Sequence, residues 1–172
     1  MQSRREIQRE HKHLSAGKTL KRILYILIAV VLVALVGYFF ANQPRANARR
    51  QAISIAKKYA HLHSPGQFYI YNRESTYYTI SGRNSQNQPI LVIVPQRGGN
   101  VRVVKQSAGL TANRVEQLTQ QRRSPKKILK VAPGVFNDKV VWEVTYRNQK
   151  NQLCYDLINF KTGKYVQEIN NL

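Results

Sequence analysis

The chain has 172 residues, with 28 Lys and Arg against 8 Asp and Glu, a formal net charge of +20. Setting aside a long apolar stretch and the tail before it leaves 132 residues, room for one ordinary domain or two very small ones, which excludes a large multidomain enzyme. Cys154 is the only cysteine, so no intrachain disulfide framework exists, and strand-length apolar clusters in the C-terminal part exclude an intrinsically disordered chain.

Residues 1–22 form a basic tail with seven Lys and Arg against Glu6 and Glu10, a net +5. Residues 23–40 follow, ILYILIAVVLVALVGYFF, 18 positions without a charge, Asn, Gln or Pro. As a helix this stretch rises about 27 Å, close to the hydrocarbon core of a bilayer. Lys21 and Arg22 can snorkel at one end, and Tyr38, Phe39 and Phe40 form an aromatic edge at the other. A cleaved signal peptide has a shorter apolar region and a small-x-small site, whereas Phe39 and Ala41 occupy the key positions before Asn42. The expectation is an uncleaved, single-pass membrane anchor contacting lipid through residues 23–40. The short basic tail stays in the cytoplasm by the positive-inside tendency, which leaves the remaining residues, at net +15, extracytoplasmic. A single unpaired cysteine on an oxidising exterior suits a bacterial cell surface.

Beyond Pro44, residues 47–60 read as a helix, with Ala48, Ala52, Ile55, Ala56 and Tyr59 on one face, and Ser64-Pro65-Gly66 stopping it. Strands are expected over 68–71, 76–81, 90–95 and 101–105, the last after the break at Gly98-Gly99-Asn100. A second helix starts at the N-cap Thr111, faces Val115 and Leu118 to a core and ends before Pro125. Strands over 127–131, 140–147, 152–160 and 164–169 complete the chain, with Pro133-Gly134 read as a loop and Lys161-Thr162-Gly163 as a tight turn. In strand 140–146, Trp142 shares a face with Val140, Val144 and Tyr146 and is expected to point into the core near Val115 and Leu118.

The order repeats. Tyr78 and Trp142 occupy equivalent hairpin positions 64 residues apart, and at the same offset Arg83-Asn84 matches Arg147-Asn148 and Asn87-Gln88 matches Asn151-Gln152. The expected fold class is therefore α+β: one N-terminal transmembrane helix, then two tandem small domains, 41–98 and 99–172, each a helix packed on an antiparallel sheet. Each is near the lower size limit for independent folding, so a shared interface is expected.

Leu91-Val92-Ile93-Val94-Pro95, Gly109-Leu110-Thr111, Val141-Trp142-Glu143-Val144-Thr145-Tyr146 and Asn159-Phe160-Lys161-Thr162-Gly163-Lys164, preceded by one anchor, resemble the TseB-like (YpmB) family of Gram-positive bacteria. The Trp-Glu-Val-Thr-Tyr strand and the Phe-x-Thr-Gly-Lys hairpin are the most distinctive parts. The resemblance implies PepSY/cystatin-like outer domains, a regulatory role in cell-wall elongation and partnership with a class B penicillin-binding protein. It implies no catalytic residues, and no cofactor is expected.

Ser54-x-x-Lys57, Ser85-x-Asn87 and Lys161-Thr162-Gly163 mimic in order the signatures of penicillin-binding transpeptidases. Ser54 falls mid-helix with only 118 residues after it, and Lys161-Thr162-Gly163 is explained as a turn, so a non-enzyme is expected. His61-x-His63 offers two metal ligands with no acid or cysteine beside them and is read as a helix terminus, and Ala16-Gly17-Lys18-Thr19 lacks the earlier glycine and strand of a P-loop. The remaining functional hint is basic: Arg97, Arg102 and Lys105 around the central linker, and Arg122, Arg123, Lys126 and Lys127 after the second helix. These seven are the candidate surface for an anionic partner, the alternative being a solvated face that keeps strand edges apart. The rival function to the regulator is accordingly a cell-surface module binding wall polyanions such as teichoic acid, or extracellular DNA, although nucleic acid is not the expected partner.

Overall fold

A computed structural model describes residues 4–170, with side chains described over 18–40 and 43–170. The chain divides into two compact units, Met1–Ala46 and Asn47–Leu172. Helix α1 (Arg4–Ala60) begins in the first and ends in the second; its part in the first includes the exposed apolar residues of 23–40, and it is long and apolar enough to cross a membrane. Pro44 does not separate a second helix as expected: α1 runs through it. The Ala16-Gly17-Lys18-Thr19 segment lies within α1, with the side chains of its first two residues outside the described set.

The second unit holds two successive four-stranded antiparallel sheets, with orders β1-β2-β3-β4 and β5-β6-β7-β8. The strands are β1 (Leu62–Asn72), β2 (Thr76–Asn84), β3 (Pro89–Pro95), β4 (Arg102–Lys105), β5 (Lys127–Phe136), β6 (Lys139–Arg147), β7 (Leu153–Asn159) and β8 (Tyr165–Ile169). The end of α1 buries Ala52, Ala56 and Ala60 against Ile80, Ile90, Val92 and Val94 of the first sheet. Helix α2 (Ala112–Arg123) buries Val115 with Trp142, Val144, Tyr146 and Ile158 of the second. The spacing of Ala52, Ala56 and Ala60 puts them on one 3.6-residue stripe, and their small side chains let α1 approach its sheet closely. Thr111 caps α2, accepting the Arg114 N–H at 3.2 Å.

The 64-residue repeat is carried into geometry. Asn87 and Asn151 adopt φ of 59° and 63°, and in each turn the first Asn Oδ1 accepts the Gln backbone N–H, at 2.9 and 3.0 Å. Arg83 donates to the Asn87 carbonyl at 2.8 Å as Arg147 does to that of Asn151 at 2.7 Å. Side-chain oxygens that mimic a backbone turn make Arg-Asn-x-x-Asn-Gln self-sufficient at both places.

Four further expectations need correction. The strand over 101–105 does not open the second domain at residue 99. As β4 it pairs with β3, Val92 opposite Val103, and completes the first sheet. Ser64-Pro65-Gly66 lies inside β1, an edge strand whose register shifts on either side of Ser64-Pro65; Pro65 is opposite Gly82, and a strand with one open side tolerates its missing N–H. Pro133-Gly134 is strand, not loop, paired with Trp142 and Val141. A β-carbon at Gly134 would collide with the buried Tyr71 ring, so glycine here permits a close approach between the two repeats. Leu118 is absent from the Trp142 cluster and instead lines a groove with Arg122, Gly163 and Tyr165.

The other face of the second sheet is also covered. Tyr71, Val141 and Leu157 form a third buried cluster joined by Tyr77 and Phe136, and the Thr79 hydroxyl donates to the Pro133 carbonyl at 2.9 Å. The two repeats thus share a core and polar bonds.

Candidate partner-docking surface

The residues that carry the sequence resemblance serve the fold. Trp142 is 2% exposed, donates its indole N–H to the Leu110 carbonyl at 3.0 Å, and lies 6.4 Å from the Phe160 ring and 6.3 Å from Tyr69 of the first repeat. Tyr146 is buried beside Asp156, and desolvation is the main cause that holds its phenol well above the ordinary range. Phe160 occupies space that a β-carbon at Gly109 would claim, and Leu110 N–H donates to the Phe160 carbonyl at 2.8 Å. Asn159 Oδ1 accepts the N–H groups of Lys161 and Thr162, both at 3.0 Å, while Gly163 takes φ of 70° and donates to the Asn159 carbonyl. Lys161-Thr162-Gly163 is thereby a hairpin turn.

Glu143 has a role that local spacing did not reveal. It is 2% exposed on the face opposite Trp142, and it accepts Arg73 at 2.7 Å and Lys130 at 2.8 Å. Arg73 comes from the β1–β2 turn, and its guanidinium also lies 5.4 Å from the Tyr155 ring centre and 3.4 Å from Gln167. One carboxylate therefore ties the first repeat to the second. The only sequence signal was a Glu at a position whose strand neighbours are apolar on both sides.

The seven candidate cations separate into two groups. Arg102 pairs with Asp138. Arg123 holds the fully buried Asp156 at 2.9 and 3.3 Å and Glu168 at 2.5 Å, and Arg122 reaches Glu168 at 3.0 Å while stacking 4.0 Å over Tyr165. Burial pushes the Asp156 carboxyl up despite Arg123, whereas hydrogen bonding to Arg123 pulls that of Glu168 down. Arg122 and Arg123 lash α2 to the second sheet, and Arg102 ties the β5–β6 turn to β4 of the first. Arg97, Lys105, Lys126 and Lys127 are exposed and form no ion pair among the described residues.

Ser54 and Lys57 are exposed on α1, and Ser85 and Asn87 lie in the β2–β3 turn. His61 has φ of 49° just after α1 and His63 lies in β1, both exposed. Among the described residues no three His, Cys, Asp or Glu side chains cluster for a metal. A cavity of about 210 Å³ between the repeats is lined by Gln67, Tyr69, Ser81, Gln106 and Trp142 among others, with no charged side chain in its wall. Such amide and hydroxyl groups can hydrogen-bond, but they present no nucleophile beside a general base.

The edges are the open feature. Each sheet ends in strands paired on one side only, and three of the four carry an exposed large apolar residue: Val103 on β4 (45%), Leu129 on the first half of β5 (44%), whose second half is buried against the first sheet, and Val166 on β8 (40%). Strand edges of this kind can pair with another chain.

The class so defined is a tandem helix-on-sheet module following an apolar N-terminal helix, with its distinctive residues committed to folding. Residues 51–95 match the model of the cell wall elongation regulator TseB-like domain. The chain is 23% identical over 145 residues to the "Probable cell wall elongation regulator TseB" of Bacillus subtilis (strain 168), covering 84% of this chain and 90% of the relative. Its fold resembles the YpmB protein from Bacillus subtilis, with a TM-score of 0.64 and 21% identity, covering 70% of this chain and 95% of that structure. The family model and the relative both point to TseB-like proteins, and the solved neighbour shares the fold. The matched segment lies in the first repeat, whereas the Trp-Glu-Val-Thr-Tyr strand and Phe-x-Thr-Gly-Lys hairpin that prompted the resemblance lie outside it.

Proposed function

We propose that this chain is a non-enzymatic, single-pass membrane regulator of cell-wall elongation that docks on a class B penicillin-binding protein. The observation that carries the reading is similarity along 84% of the chain to a relative named for elongation control. In this reading the basic tail 1–22 is cytoplasmic, residues 23–40 cross the bilayer and the two repeats stand outside. Anchoring both partners in one membrane raises their effective concentration, so modest contacts suffice. The repeats supply those contacts through the edges of β4, β5 and β8.

The test places a photo-crosslinking residue at Val103, Leu129 or Val166 of the full chain in its native membrane. An adduct that also labels with fluorescent penicillin supports the proposal. Absence of a penicillin-labelled adduct from all three positions, with the chain present at normal abundance, refutes it.

A further inference from the structure

One end of the second sheet gathers four exposed cations, of which only Arg147 also serves the fold, through its bond to the Asn151 carbonyl. Lys127 and Arg147 are directly opposite in the β5–β6 register, and the Lys126 N–H donates to the Arg147 carbonyl at 2.8 Å. The β6–β7 turn adds Lys150, and Gln149 in that turn donates to the Ser124 carbonyl at 2.6 Å, bringing the turn to the end of α2. Lys126, Lys127, Arg147 and Lys150 are all exposed.

No carboxylate pairs with them among the described residues. Of the six acids after residue 40, Asp138, Glu143, Asp156 and Glu168 are engaged by Arg102, Arg73, Lys130, Arg122 and Arg123. Glu74 lies in the β1–β2 turn and Glu116 on α2. Like charges directly opposite on neighbouring strands destabilise a sheet.

The first repeat is an internal control. Its turn has the same hydrogen bonds, yet Arg83 is opposite Ser64. At the 64-residue offset, Leu62, His63 and Gln86 stand where the second repeat has Lys126, Lys127 and Lys150. The turn therefore forms without these lysines, and the second repeat concentrates positive charge that an external anion would offset.

We infer that Lys126, Lys127, Arg147 and Lys150 form a binding site for a phosphodiester-linked polyanion at the start of β5, beside the Leu129 edge position. Three of the four are lysines, a residue depleted from protein–protein interfaces, and a row of mobile ammonium groups suits a flexible charged polymer. Arg102, Arg122 and Arg123 stay outside the site because acids of this chain hold them.

The experiment uses the full chain in a neutral detergent with a short fluorescent poly(glycerol phosphate), titrated by anisotropy. Four phosphate contacts predict that affinity falls about 50- to 150-fold between about 50 and 200 mM salt. A K126Q/K127Q/K150Q variant keeps one contact, and its affinity should fall only about threefold over that range. The control variant R97Q/K105Q/K139Q removes the same charge from exposed positions elsewhere and should retain the steep salt dependence. Equal loss in the two variants would overturn the site, since the attraction would then belong to net charge. Stronger binding of polyglutamate or of phosphatidylglycerol vesicles than of the phosphate polymer would overturn the ligand assignment, as would no binding at low salt. The titration contains no partner protein and the crosslink is made on the parent chain, so the two proposals fail separately.

Discussion

Truncating Trp142 to alanine removes the aromatic centre of the second repeat. The ring is 2% exposed and packs with Val115, Phe160 and Ile158, so its loss costs about 3–5 kcal/mol. The Leu110 carbonyl also loses its indole donor, adding about 1 kcal/mol. The sum, about 4–6 kcal/mol, is a large share of the roughly 5–15 kcal/mol that stabilises a typical domain. At about 3–5 °C per kcal/mol for a module of this size, melting should fall by about 12–30 °C. Trp142→Phe keeps most of the packing, and should cost about 1–2 kcal/mol through the lost donor and the smaller ring. Calorimetry of the full chain in detergent distinguishes the three proteins. A melting temperature within about 5 °C of the parent for Trp142→Ala, together with loss of partner crosslinking, would refute the reasoning and put Trp142 at the interface.

Glu143→Ala should lower stability by about 2–4 kcal/mol in urea titrations, because Arg73 then stays largely buried without its carboxylate while the more exposed Lys130 can turn to water. Replacing all three charges, as R73M/K130M/E143L, should recover most of that loss, and a triple variant as unstable as the single one would contradict the account. Tyr71 tests the other side of the same interface. Its hydroxyl is buried without a hydrogen-bond partner among the described residues, and burial pushes its pKa from 10.0 to about 12. A folded-state pKa above the unfolded one means stability that is intact below pH 10 and lost as pH rises toward 12. Tyr71→Phe should therefore match or exceed the parent at neutral pH and resist alkaline unfolding in that window, followed by far-ultraviolet dichroism. An unchanged alkaline midpoint would mean that the phenol is already solvated.

What could be read from the amino acids alone is what nearby residues decide together. An uncharged span of 18 residues is apolar whatever it meets, and Arg-Asn-x-x-Asn-Gln builds its turn from its own side chains, so the apolar helix and the repeat were both legible. The alternation around Trp142 was legible too, because strand geometry sends every second side chain to one face. Tertiary structure decided the rest. Pro133-Gly134 looks like a loop until Tyr71, more than sixty positions earlier, packs where a β-carbon would sit and makes glycine a condition of contact. Residues 101–105 carry no mark of which sheet they join, since either domain can supply a backbone ladder, and β3 wins by adjacency. The candidate cations were divided in the same way. Arg123 is neutralised by Asp156 and Glu168 while Lys126 and Lys127 remain exposed, and nothing in the run Arg122–Lys127 distinguishes them. Ion pairing depends on distance through space, and those carboxylates reach Arg123 only after β7 and β8 have folded against α2.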